Sequence, residues 1–323
     1  MTLIHIEDFL NLPGTLLDVR SPGEFAHGHL PGAINLPLFT NEERAVVGTA
    51  YKQQGQKVAI SLGLKITGPK LADFVDTASA LTNTTKNQAK IYCWRGGMRS
   101  GAMSWLLDFA GIQTSTLKGG YKTFRRWIHE QFERKYQFTV VGGMTGSGKT
   151  AFLDELKEQG QQVLNLEAIA NHRGSSYGRL GISTPQPSTE HFENEIGMIL
   201  AKMDPLRTIW IEDESRLIGT CHIPECLIQQ MNDSPMVVLD IPKEKRMDRL
   251  MNEYGSHPIE GLVAATEKIG KHLGGQRKKE ALQALKEGNI QKALEIILEY
   301  YDATYTYALS KRKNSFTILD TKH

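Results

Sequence analysis

Phe138-Thr139-Val140-Val141-Gly142-Gly143-Met144-Thr145-Gly146-Ser147-Gly148-Lys149-Thr150 decides how the second half of this chain folds. The first four residues are a short apolar run of the kind that forms a buried parallel strand. From Gly143 to Thr150 the sequence fits G-x-x-x-x-G-K-[ST], and Ala151-Phe152-Leu153-Asp154-Glu155-Leu156 then opens a helix. That strand–loop–helix setting is what a phosphate-binding loop requires. Glycines bare the backbone N–H groups, and the helix N-terminus favours an anion. Gly143, Thr145, Gly146, Ser147, Gly148, Lys149 and Thr150 are therefore expected to grip a diphosphate. Lys149 would reach the terminal phosphates, and the Thr150 hydroxyl is suited to Mg²⁺. Nothing in the pattern selects adenine or guanine, and nothing in it indicates hydrolysis.

Working outward, apolar runs at 162–166, 208–211, 236–241 and 316–319 alternate with amphipathic segments at 150–159 and 190–203. Such alternation predicts an α/β fold with a doubly wound parallel sheet. The run Ile209-Trp210-Ile211 ends in Glu212-Asp213-Glu214, so Glu212 or Asp213 is a candidate for holding a metal. Acids that merely cap the strand would look the same. His172-Arg173-Gly174-Ser175-Ser176 reads either as a substrate loop, with His172, Arg173, Ser175 and Ser176 as contacts, or as an ordinary polar loop. Residues 243–313 read as a helical region broken at Gly255, Gly270, Gly274-Gly275 and Gly288.

Upstream, short apolar runs at 15–19 and 89–92 predict a separate α/β unit, closed by a helix-prone stretch over 121–137. This places domains at 1–135 and 136–323. The first carries Cys93-Trp94-Arg95-Gly96-Gly97-Met98-Arg99-Ser100 at a strand end. A thiol attacks as thiolate, and positive potential stabilises that form. Paired glycines let several N–H groups converge on one anion. Cys93 is thus the candidate nucleophile, and Trp94, Arg95, Gly96, Gly97, Arg99 and Ser100 are the candidate anion bowl.

Composition sets the outer limits. The chain has 323 residues, 40% hydrophobic and 23% charged, so two ordinary globular cores are affordable. No apolar run approaches the roughly 20 residues of a membrane span, and the acidic start is unlike a signal peptide. Three cysteines make neither a disulfide framework nor a convincing zinc site, so no structural metal and a reducing cytoplasm are expected. The net charge is only +2, but basic residues gather in the last quarter at Lys243-Glu244-Lys245-Arg246, Arg277-Lys278-Lys279 and Lys311-Arg312-Lys313. Taken singly, each cluster reads as a solvated helix face.

Two upstream stretches, Asp18-Val19-Arg20-Ser21-Pro22-Gly23-Glu24-Phe25 and Gly28-His29-Leu30-Pro31-Gly32-Ala33-Ile34-Asn35-Leu36-Pro37, resemble rhodanese signatures. So does Lys118-Gly119-Gly120-Tyr121 with Trp127. One departure is the C-x5-R spacing from Cys93 to Arg99, wider than the common sulfurtransferase loop and similar to that of dual-specificity phosphatases. The histidine that precedes a phosphatase cysteine is replaced by Tyr92.

A rhodanese-like domain followed directly by a phosphate-loop domain resembles the bacterial tRNA 2-selenouridine synthases. Asn41-Glu42-Glu43-Arg44, Gly48-Thr49, Tyr51-Lys52, His172-Arg173-Gly174-Ser175, Ile211-Glu212-Asp213-Glu214-Ser215-Arg216 and Leu273-Gly274-Gly275-Gln276-Arg277 extend the resemblance over the whole chain. The family implies exchange of sulfur for selenium in wobble 2-thiouridine of tRNA. Its selenium donor is selenophosphate, and the route passes through an S-geranylated intermediate made from geranyl diphosphate. No tightly bound cofactor is implied, and Mg²⁺ is a candidate ion. The selenophosphate-supplying enzyme is a candidate partner, a membrane is not, and Arg246, Arg249, Arg277, Lys278 and Lys279 become candidate tRNA contacts. The competing reading is a phosphatase-like or sulfurtransferase domain fused to a small-molecule kinase.

Overall fold

Short apolar runs separated by turns build five strands in the first part of the chain: β1 (Thr2–Ile4), β2 (Thr15–Asp18), β3 (Ile34–Asn35), β4 (Gln88–Tyr92) and β5 (Gln113–Leu117). They pair in parallel throughout, in the order β1-β5-β4-β2-β3. The helices between them are α1 (Ile6–Asn11), α2 (Pro22–His27), α3 (Asn41–Gln54), α4 (Gln56–Thr67), α5 (Leu71–Thr82), α6 (Met98–Phe109) and α7 (Gly120–Glu133). Local chemistry sets the starts of two of them. Ser21 with Glu24, and Thr40 with Glu43, form capping boxes that satisfy otherwise orphaned N–H groups. Leu17, Ile91, Met103 and Leu107 are wholly buried at the centre of this unit.

The computed structural model describes residues 2–175, 177–312, 314 and 316–320. It divides into the units Met1–Gln131 and Phe132–His323. The division falls inside α7, the helix expected to close the first domain.

In the second unit β6 (Gln137–Gly143), β7 (Gln162–Leu164), β8 (Thr208–Glu212), β11 (Met236–Asp240) and β12 (Phe316–Asp320) form a parallel sheet ordered β12-β11-β6-β8-β7. A small antiparallel hairpin, β9 (Leu217–Ile218) with β10 (Cys221–His222), lies outside it. The helices are α8 (Lys149–Glu158), α9 (Leu166–Ala170), α10 (Thr189–Leu200), α11 (Glu225–Asp233), α12 (Lys243–Tyr254), α13 (Ile259–Leu273), α14 (Gly275–Lys286) and α15 (Ile290–Ser310). From β6 the chain winds first toward β8 and β7, then back toward β11 and β12. This is the doubly wound topology, and its switch point lies at the carboxyl end of β6.

Two expectations are corrected. The strand predicted over 162–166 stops at Leu164 because the Asn165 side chain accepts the Ala168 N–H and caps α9. Gly270 does not break a helix. It sits within α13, where a Cβ would strike the aliphatic stem of Lys278 on α14, so its smallness serves helix packing. Among the described residues no helix is long and apolar enough to cross a membrane.

Candidate functional site

Cys93 leaves the end of β4 and is 3% exposed, with its Sγ 3.2 Å from Ser100 Oγ on α6. The loop after it is held by backbone from the turn that opens α7. Tyr121 N donates to Cys93 O at 2.8 Å and Lys122 N to Trp94 O at 3.0 Å. Gly120, at φ +59°, has to be glycine because a Cβ would collide with Cys93 O and Gly96 N. Below lies a buried pair: Arg20 bonds both Asp18 oxygens, donates to Gly28 O, and stacks 3.8 Å over the Tyr121 ring. Removing one partner of such a pair costs about 3–5 kcal/mol, because the other charge stays buried and unmatched. Tyr92 is fully buried, and its hydroxyl accepts the Leu30 N–H at 3.1 Å. The three rhodanese-like signatures are thus the cradle of one loop.

The bowl differs from expectation in its charge. Arg95 is exposed, but Arg99 is spent on Glu24 at 2.6 Å, with Arg44 at 3.7 Å from the same carboxylate. Burial alone would raise the Glu24 pKa, yet the hydrogen bond and charge of Arg99 outweigh it and hold the carboxyl below its ordinary value. An anion arriving beside Cys93 has to compete with Glu24 for Arg99.

In the second unit the loop from Gly143 to Gly148 caps β6 and feeds α8. Gly148, at φ +85°, also leaves room for Arg249, whose Nη1 donates to Ser147 O at 2.6 Å. Lys149 Nζ donates to Gly143 O at 3.3 Å. Gly143 N donates to Tyr305 Oη on α15 at 2.8 Å. Ser147 Oγ is buried without a hydrogen-bond partner among the described residues. Thr150 Oγ1 donates to Glu167 Oε2 at 3.3 Å.

The rhodanese-like domain family matches residues 5–127, and the tRNA 2-selenouridine synthase AAA domain family matches residues 136–323. A tRNA 2-selenouridine synthase of Sulfurovum sp. (strain NBC37-1) is 36% identical, over 92% of this chain and 89% of that protein. Another, from Marinobacter nauticus, is 35% identical over 97% of this chain and 94% of that protein. The chain belongs to the tRNA 2-selenouridine synthase family.

In this tRNA 2-selenouridine synthase family member the carboxylates near the phosphate loop form a larger group than the sequence suggested. Glu212 is wholly buried, and one oxygen accepts the Leu166 N–H at 2.6 Å. Its other oxygen has no hydrogen-bond partner among the described residues. Asp213 instead meets Arg312 at 3.4 Å and Tyr305. Glu214 stands in the acidic run without being singled out from Glu212 and Asp213, and nothing local marks Glu167. Glu167 and Glu214 lie against Gly174, where a Cβ would strike both carboxylates. Burial, with Glu167 beside it, pushes Glu214 well above the carboxylate range.

Burial also raises the Glu212 carboxyl to about 8, the Leu166 N–H opposing and the Glu167 charge adding. An acid protonated in the fold but ionised in the unfolded chain makes stability fall as pH rises. The window runs from the ordinary value of 4.5 to about 8. Glu212→Gln keeps an acceptor for Leu166 and should flatten that slope in urea unfolding across the window. A slope equal to the wild type's would show that Glu212 ionises freely in the fold.

The candidate substrate loop does lie beside this group through Gly174. His172 is buried, and its pKa is lowered by burial and by the charges of Arg179 and Lys268. Arg173 pairs with Glu253 at 3.1 Å, and Ser175 Oγ accepts the Tyr177 N–H. Ser176 lies outside the described residues.

Two of the candidate tRNA contacts turn out to have other work. Arg246 is 4% exposed, bonds both oxygens of Asp302 at 2.8 Å, and donates to Thr145 O. It cannot reach an RNA backbone. Arg249 is exposed, and its Nη1 donates to Gly146 O and Ser147 O in the phosphate loop. Arg277 and Lys279 are exposed on α14, while Lys278 is half-buried over Gly270.

Proposed function

We propose that this enzyme replaces sulfur by selenium in the wobble 2-thiouridine of tRNA in two steps, using geranyl diphosphate and then selenophosphate. In the first, the thiocarbonyl sulfur attacks the allylic carbon of geranyl diphosphate. A C–S bond forms, the C–O bond breaks, diphosphate leaves, and the nucleobase loses its N–H proton to solvent. The loop from Gly143 to Thr150 is suited to the diphosphate, with Lys149 offsetting the charge on the leaving group. Among the described residues no three histidine, cysteine or carboxylate groups could hold a metal by themselves. Mg²⁺ would come with the diphosphate, held by its oxygens and the Thr150 hydroxyl, and would supply charge neutralisation.

In the second step the selenium of selenophosphate displaces the alkylated sulfur at C2. A C–Se bond forms, the C–S bond breaks, geranyl thiol leaves with a proton, and water releases phosphate from selenium. Alkylation makes this feasible, because the sulfur no longer departs from a conjugated thiocarbonyl. Cys93, Arg95 and the loop N–H groups are suited to deliver the selenium anion. Exposed Lys243, Lys245, Arg277 and Lys279 are suited to tRNA phosphates, and the setting is cytoplasmic. The enzyme that makes selenophosphate is a natural partner.

The observation that carries this reading is a nucleophile loop and a diphosphate loop in one member of this family. The phosphatase alternative is disfavoured by Tyr92, whose hydroxyl is tied to Leu30 rather than placed to assist a phosphate. The test is mass spectrometry of tRNA nucleosides after incubation with thiolated tRNA and both donors. S-geranyl-2-thiouridine should appear first and 2-selenouridine later. Selenouridine formed without geranyl diphosphate would overturn the two-step route.

A further inference from the structure

An unexplained feature of the first unit is a cavity of about 810 Å³ between α3, α4 and the start of α6. That lies within the range of roughly 300–1,000 Å³ usual for small-molecule sites. Its walls are apolar: Leu38, Phe39, Val47, Ala59 and Ile60 line it, and Leu64 and Met98 stand at 66% and 54% exposure. The buried hydroxyl within it, that of Thr67, is already given to Gly63 O at 2.9 Å. The interior therefore invites hydrocarbon rather than a polar ligand.

Its place in the fold narrows the occupant. Met98 and Arg99 line the cavity, and the next residue, Ser100, holds the Cys93 sulfur. The cavity thus opens directly beside the selenium-delivery loop. Arg44, Lys52 and Arg99 also line it; Arg44 and Arg99 share the single carboxylate of Glu24 and Lys52 is exposed, so net positive charge accompanies an apolar interior. A chain that is apolar along its length and attached to an anionic polymer matches that arrangement.

We infer that this cavity holds the hydrocarbon chain on the sulfur of the alkylated wobble nucleoside, placing C2 beside Cys93 for displacement. The inference rests on the proposed two-step route and adds to it a second prenyl site, in a different unit from the diphosphate loop. The chain would anchor the nucleoside before the exchange and leave with the thiol afterwards. A short alkyl group on the same sulfur would react at C2 but would not be held.

The test uses the full chain and anticodon stem-loop RNAs carrying S-geranyl- or S-methyl-2-thiouridine, with dissociation constants from fluorescence anisotropy. The wild type should prefer the geranyl RNA by at least about tenfold, which asks for burial of only a few CH₂ groups. Gly48→Phe fills the cavity from α3, where a Cβ would meet nothing within 4 Å. Leu64→Asp makes an exposed part of the wall polar with little risk to folding. In both variants the preference should fall to about threefold or less. No geranyl preference in the wild type, or one that survives in both folded variants, would overturn the inference. Failure of the two-step route is read separately, as absence of selenouridine from the geranylated RNA.

Discussion

Replacing Cys93 with serine is expected to stop selenium delivery while geranylated tRNA accumulates. Joining geranyl to sulfur needs the diphosphate, a loop to hold it and the thiocarbonyl of the tRNA, none of which draws on a protein thiol. Passing selenium to C2 draws on the loop around Cys93 to hold the selenium anion of selenophosphate, and a serine hydroxyl is harder, less polarisable and too basic to replace the thiol beside selenium at neutral pH. The surroundings tolerate the change. Cys93 is 3% exposed, its carbonyl is tied to Tyr121 N, and its sulfur faces the Ser100 hydroxyl, which can bond a serine oxygen instead. Incubating the variant with thiolated tRNA and both donors, then weighing the wobble nucleoside, reads both steps at once. Selenouridine at the wild-type rate would remove Cys93 from the mechanism. Loss of both products would place it in the first step or in the fold.

Lys149→Ala should act on the other half of the reaction. Lys149 Nζ lies 3.3 Å from Gly143 O at the mouth of the loop, where a terminal phosphate would displace that carbonyl as partner. A charge-assisted contact of this kind is worth roughly 1.5–3 kcal/mol. The loss should appear as an about tenfold to hundredfold fall in kcat/KM for geranyl diphosphate. Selenation of tRNA that is already geranylated should change far less. Unchanged geranylation kinetics would mean that the loop serves some other ligand.

Both loops were legible in the sequence because each is contiguous: glycines, a lysine or cysteine, and a flanking strand and helix lie within about a dozen residues. The doubly wound sheet followed from the same local alternation. What escaped reading depends on partners far along the chain. Arg246 looks like one more residue of a basic run, yet its carboxylate partner, Asp302, lies 56 residues on. Charge in a sequence does not reveal whether it faces water. Glu167 and Glu214 converge only when α9 is laid beside the end of β8. Glu24 gave no sign that it would neutralise Arg99 across 75 residues. The apolar cavity was equally invisible, since nothing local marks Ile60 and Leu64 of α4 as apolar residues left exposed rather than buried.

The bond from Gly143 N to Tyr305 spans 162 residues and has a consequence for how this protein is made. A ribosome that has just finished β6 and α8 has delivered every residue of the phosphate loop, yet neither Tyr305 nor Asp302 exists. Until α15 emerges, the carbonyl of Thr145 lacks the anchored Arg246 and the amide of Gly143 lacks its hydroxyl acceptor. The nascent chain therefore carries a grip without its clamp for most of the synthesis of the second unit. Contacts that distant in sequence close late and slowly. The loop thus reaches its full set of hydrogen bonds only after α15 has followed the basic residues of α12 and α14 off the ribosome.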